Sequence, residues 1–201
     1  FGENSLRRAI SAYVTHYHLE RNHHSLGNSL IGPDFYDDMQ MELMDEEERY
    51  RINVFDWEAE FPSVFQRRSA GFDAVIGNPP YVRIQHMREW APIEVQHYRE
   101  TYKSARKGNY DIYVVFVEKG LSLLTPDGIF GFIVPSKFFS AKYGEALRTL
   151  IAQGGHLSDI VHFGDIQVFS GTTNYTCLLF LRNHSQVSFQ FSQVRDLEEW
   201  R

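Results

Sequence analysis

Near the start of the chain Leu6, Ile10, Tyr13, Val14, Tyr17 and His18 recur at helical spacing and predict an amphipathic helix over residues 5–20. Leu26-Gly27-Asn28-Ser29-Leu30-Ile31 then predicts a short strand and its exit turn. Further on, Phe72-Asp73-Ala74-Val75-Ile76-Gly77 is an apolar run stopped by an asparagine and two prolines, the pattern of a buried strand emptying into a rigid turn. Residues 111–124 predict an apolar helix, closed by the turn Pro126-Asp127-Gly128. The run Ile129-Phe130-Gly131-Phe132-Ile133-Val134 is apolar on both alternating faces, as expected of a central parallel strand, and ends at Pro135. Ser140 is placed to cap a helix through Ala152, with Gly154 and Gly155 as its stop. Residues 160–163 and 176–181 predict two more strands, and the connection between them is too short for a helical crossover, so they are expected to pair antiparallel. A last strand is expected over Val187–Phe191. The order describes an α/β sheet, mostly parallel with an antiparallel edge hairpin.

Composition narrows the class. With 201 residues, 43% hydrophobic and 23% charged, the chain suits one globular domain, and no run of about 18 apolar residues is present to span a bilayer. The single cysteine, Cys177, cannot form an internal disulfide, and no basic-then-apolar leader opens the chain, so a reducing cytoplasm is expected. A cysteine zinc site is excluded, and the spacings of His16, His18, His23 and His24 fit no tetrahedral scheme, so no metal is predicted. The net charge of −6 argues against a surface that grips phosphates everywhere, but the charge is uneven. Residues 34–60 hold eleven acids against two arginines, whereas residues 82–107 hold six lysines and arginines against three glutamates. The acidic run Asp45-Glu46-Glu47-Glu48 reads as a solvated face.

Chemistry concentrates at Asn78-Pro79-Pro80-Tyr81, which falls at the carboxyl end of a predicted strand, where open α/β sheets bind their ligands. Asn78 offers a carboxamide oxygen that stays uncharged at every working pH. Two successive prolines remove two backbone donors, so the main chain presents carbonyls without competing N–H groups. Tyr81 adds a flat face. Such a turn suits a planar group bearing NH₂, held through both hydrogens and stacked from one side. The same four residues would also simply end a strand, with Tyr81 in the core. A proline-tyrosine ligand for a WW domain is disfavoured by the apolar strand directly upstream. Arg83, Arg88, Arg99, Lys103, Arg106 and Lys107 follow the turn, with Tyr98 and Tyr102 interleaved, and suit DNA phosphates or a solvated helix.

The segment Phe72 to Arg83, FDAVIGNPPYVR, resembles motif IV of the amino-group methyltransferases that use S-adenosylmethionine, in particular the N6-adenine DNA methyltransferases and the methylase part of type IIG restriction-modification enzymes. GNSLIG at 27–32, FDWEAEFPSVF at 55–65, YDIYVVFVEKGLSLLTPDGIFGFIVPSKF at 110–138 and VFSGTTNYTCLLFLR at 168–182 agree with it in order, so the likeness covers most of residues 26–182. The resemblance implies a Rossmann-like methyltransferase fold acting on double-stranded DNA within a restriction-modification system. It makes Asn78 and the Pro79 carbonyl the acceptors for the adenine amino group, and Tyr81 and Phe169 the rings on either face of a flipped base. Asn28, Ser29 and Pro80 fall where such enzymes hold the cofactor, and Arg83, Arg88, Lys103, Arg106 and Lys107 where DNA would run. Nuclease and target-recognition domains are expected in the same full-length chain.

One departure is large. These methyltransferases carry a glycine-rich cofactor loop on a first strand, ahead of an acidic residue on a second, whereas residues 1–25 contain only Gly2. The chain also opens at Phe1 rather than Met, so residues 1–201 are expected to be the C-terminal part of one catalytic domain, inactive or nearly so in isolation, with the strand before Asn78 short of a neighbour. Two other readings stay open at this point. One is methylation of a protein glutamine, whose amide is likewise planar with an NH₂. The other is an inactive fragment or interaction module.

Overall fold

The computed structural model describes residues 30–32, 55–169 and 174–197. The helix expected over 5–20 lies outside these residues. So do Leu26 to Ser29 of the expected first strand, and Leu30 sits in a 3₁₀ turn. Chain order then runs through α1 (Trp57–Glu60), α2 (Pro62–Phe65), β1 (Phe72–Gly77), α3 (Ile84–Trp90), α4 (Pro92–Thr101), α5 (Tyr113–Ser122), β2 (Leu124–Pro135), α6 (Glu145–Gln153), β3 (Leu157–His162), β4 (Thr176–Arg182) and β5 (Gln190–Gln193). Asp56 caps α1 by accepting the Glu58 and Ala59 backbone N–H groups at 2.9 and 3.1 Å.

The five strands form one sheet in the order β1-β2-β4-β3-β5. β1 pairs parallel with β2, β3 pairs parallel with β5, and β4 runs against both of its neighbours. Four strands therefore point one way, and their carboxyl ends share a rim with the amino end of β4. The crossover through α6 lays β3 two strand positions beyond β2, leaving one slot between them. The return strand β4 fills that slot, from Ile129 opposite Arg182 to His162 opposite Cys177, and β5 adds outside β3. Among the described residues β1 pairs only with β2, and Asp73, Ala74 and Ile76 are exposed.

Strand alternation sorts the interior into two layers. Phe130, Phe132 and Val134 of β2 and Cys177, Leu179 and Leu181 of β4 face the larger core, which α5 fills with Tyr113, Val114, Val117 and Leu121. Ile133 and Leu178 face a smaller cluster with Phe163, Phe169 and Val194 on the other side of the sheet.

Three local expectations are corrected by tertiary bonds. Ser140 caps no helix: α6 begins at Glu145 after 3₁₀ turns at Ser136–Phe139 and Lys142–Gly144, with Ala141 extended between them. The Arg148 guanidinium donates to the Phe138 and Ala141 carbonyls and ties these turns to α6. Pro126-Asp127-Gly128 does not separate helix from strand; it is an irregularity within β2, whose register jumps from Leu124 opposite Phe72 to Ile129 opposite Ala74. The Asn183 amide holds it by donating to the Leu124 and Thr125 carbonyls at 3.1 and 3.2 Å. The last strand lies at Gln190–Gln193, a few residues later than its apolar pattern.

β1 is aimed by the turn before it. Gly71 adopts φ +115°, and a Cβ there would lie 2.7 Å from backbone atoms of Leu124 and Thr125. Gly71→Ala is therefore expected to cost about 1–3 kcal/mol, read as a lower unfolding midpoint; an unchanged midpoint would contradict this placement.

Candidate active site

Gly77 ends β1, and the chain turns through Asn78, Pro79 and Pro80, all buried, with Asn78 only 3% exposed. Tyr81 is half-buried, packs against the larger core, and donates its hydroxyl to the Ile133 carbonyl of β2 at 2.9 Å. The main chain leaving the turn is bracketed: Ile84 N–H donates to the Tyr110 carbonyl at 2.9 Å and Ile112 N–H to the Val82 carbonyl at 2.8 Å. Arg83 thereby stands opposite Asp111 in an antiparallel bridge. Continued two residues, that register sets Tyr81 opposite Tyr113, and the two rings meet edge to face, 6.2 Å apart at 79°. The Tyr113 hydroxyl lies 3.1 Å from that of Tyr143.

Asp111 is half-buried beside this bracket, and burial holds its carboxyl above the usual range, while Arg83 and Lys137 pull it down. Burial also raises the phenols of Tyr113 and Tyr143, so both are neutral at physiological pH. The carboxyl rim of the sheet thus combines an amide, two proline carbonyls and a tethered aromatic ring.

The structure brings Asn78, Pro79, Pro80 and Tyr81 together in one turn. Phe169 is 6% exposed and packs with Ile133, Phe163, Leu178 and Val194, across the sheet from the core that holds Tyr81. Asn28 and Ser29 lie outside the described residues, as do His16, His18, His23 and His24. The adjoining Leu30 and Ile31 are anchored, Leu30 by its carbonyl to the Tyr102 hydroxyl and Ile31 by its carbonyl to Phe55 N–H at 3.0 Å.

The basic stretch divides by face. Tyr98 and Tyr102 are buried in the core, whereas Arg83, Arg88, Arg99, Lys103, Arg106 and Lys107 are all exposed. Among the described residues none of these six has an ion-pair partner. Glu118 of α5 fixes the 3₁₀ turn Lys103–Ala105 by accepting the Lys103 and Ser104 N–H groups at 3.1 and 2.8 Å. Sequence reading missed Asp111, Tyr113, Tyr143 and Glu118. The only available signal was the Tyr81–Tyr113 register, which requires knowing that residues 82–84 and 110–112 pair. No described helix is long and apolar enough to cross a membrane.

Residues 6–169 match the family model of the Eco57I restriction-modification methylase. The chain is 36% identical over 174 residues to the type II restriction enzyme and methyltransferase RM.Eco57I of Escherichia coli, covering 87% of this chain and 16% of that protein. It is 38% identical over 98 residues to the type II methyltransferase M.PaeR7I of Pseudomonas aeruginosa, covering 49% of this chain and 16% of that one. A solved methyltransferase subunit of a type I restriction-modification system from Streptococcus thermophilus aligns with a TM-score of 0.48 at 16% identity, over 63% of this chain and 27% of that one. The sequence matches set the chain among the restriction-modification methyltransferases. It belongs to the Eco57I restriction-modification methylase family, and it spans 16% of the length of both of these type II relatives.

Because folding favours the neutral form of Asp111, its charge is a cost to stability above its raised titration point. Asp111→Asn is expected to raise the unfolding midpoint at pH 7–8, with the gain fading as pH falls toward the ordinary carboxyl value of 3.8, where both side chains are neutral. A lower midpoint for the variant at neutral pH would contradict this.

Proposed function

We propose that the protein carrying this chain methylates the N6 amino group of adenine in duplex DNA, using S-adenosylmethionine, as the modification activity of a restriction-modification system. The observation that carries this reading is the buried Asn78-Pro79-Pro80 turn at the carboxyl end of β1 with the Tyr81 ring tethered beside it. The Asn78 carboxamide oxygen and the Pro79 carbonyl accept the two amino hydrogens. They draw electron density toward N6 and aim its lone pair, while Tyr81 stacks on a base swung out of the duplex. Bound S-adenosylmethionine supplies an electrophilic methyl group. Pro80, buried at the strand's carboxyl end, suits one apolar wall of its site, and Asn28 and Ser29 directly precede the anchored Leu30. The other wall, with the glycine-rich loop, is assigned to a strand pairing with the outer edge of β1. The exposed Arg83, Arg88, Lys103, Arg106 and Lys107 hold DNA phosphates and position the duplex without reading its sequence.

Incubating the full-length protein with plasmid DNA and labelled S-adenosylmethionine, followed by nucleoside analysis, should yield N6-methyladenine. Methylated cytosine, or label in protein glutamine instead of DNA, would overturn the assignment. Asn78→Ala should lower the rate about 10²–10³-fold, the scale on which removing one preorganised hydrogen-bonding group acts. Reversing Lys103, Arg106 and Lys107 together should flatten the dependence of log affinity on log salt by about 0.9 for each phosphate no longer neutralised; an unchanged slope would remove this surface from the interface.

A further inference from the structure

We infer that Tyr113 is a positioning residue that sets the plane of Tyr81, with Tyr143 holding Tyr113 in turn; this rests on the adenine reading above. A phenol ring is anchored at Cβ by the backbone, and Tyr81 is anchored again at its far end by the hydroxyl bond to the Ile133 carbonyl, 2.9 Å. Those two anchors lie on one axis. Rotation about that axis leaves both intact, so neither decides which way the ring's face points. A lateral contact must do it, and Tyr113 supplies one: its ring meets Tyr81 edge to face at 79° and 6.2 Å.

Tyr113 is itself held on every side. It is fully buried in the first turn of α5, lies 6.4 Å from the Phe138 ring, and meets the Tyr143 hydroxyl at 3.1 Å. The bracket between residues 82–84 and 110–112 fixes its backbone against that of Tyr81. Tyr143 stands in the 3₁₀ turn just before α6, so the chain of contacts runs from the base-stacking ring, through a buried phenol, to the start of a helix whose Leu147 and Ile151 pack in the same larger core. Tyr113 touches no substrate in this scheme. Its effect is exerted only through the angle at which Tyr81 receives a flipped base.

The test is steady-state methylation by the full-length protein of a duplex carrying its mapped target site, compared with the same duplex whose target adenine faces an abasic position. Unpairing the base beforehand removes part of the cost of flipping, so a weakened stacking platform matters less on the second substrate. Tyr113→Leu is expected to lower kcat about tenfold on the paired duplex, with KM for DNA within about twofold, and the loss should shrink to about threefold on the abasic duplex. Tyr143→Phe should show a smaller loss with the same partial recovery. It carries the test alone should Tyr113→Leu fail to fold by circular dichroism. Unchanged kcat in the variants, or equal losses on both substrates, would overturn the inference while leaving the adenine reading intact. Absence of N6-methyladenine with the unaltered protein would sink both.

Discussion

Two consecutive prolines at the end of β1 leave a stretch of main chain that can accept hydrogen bonds and cannot donate them. Everything around the turn compensates for that lack. With no N–H at Pro79 or Pro80 to pair, the turn cannot be held by a strand ladder of its own, and it is held from its flanks. Upstream lies the β1–β2 pairing, downstream the bracket to residues 110–112, and laterally the Tyr81 hydroxyl bond to Ile133. The result is a turn fixed at the carboxyl rim of the sheet, the placement on which the proposed binding of an amino group rests.

The same layout separates holding from docking. Residues 83–107 present Tyr98 and Tyr102 inward and their arginines and lysines outward, so one segment both closes the core beneath the turn and leaves a cationic surface beside it. Glu118 ties that surface to α5, the helix whose first turn carries Tyr113. The net charge of −6 conceals this local arrangement, because eleven of the 26 acidic residues fall in a separate stretch, residues 34–60, against only two arginines.

Legibility in the sequence followed how local the deciding interactions were. β1, β2, β4 and α5 could be read because apolar period and strong terminators, the paired prolines and Pro135 among them, act within a few residues. The antiparallel pairing of β3 and β4 followed from loop length alone. The start of α6 and the irregularity in β2 could not be read: Arg148 and Asn183 tie them down by reaching backbone carbonyls 10 and 59 residues away along the chain. At the site the turn was visible as four adjacent letters, whereas its supports were scattered over Tyr113, Ile133 and Tyr143. Phe169, assigned by resemblance to the face opposite Tyr81, packs in the smaller cluster with Ile133, the residue whose carbonyl accepts the Tyr81 hydroxyl.

Photocrosslinking addresses the central claim most directly. A duplex bearing 5-iodouracil in place of the target adenine, bound to the full-length protein and irradiated, should attach to Tyr81, since a base held against the Asn78-Pro79-Pro80 turn must lie on that ring. Crosslinks confined to residues away from the 78–81 turn would mean that the base is received elsewhere, and the role given to the turn would be wrong.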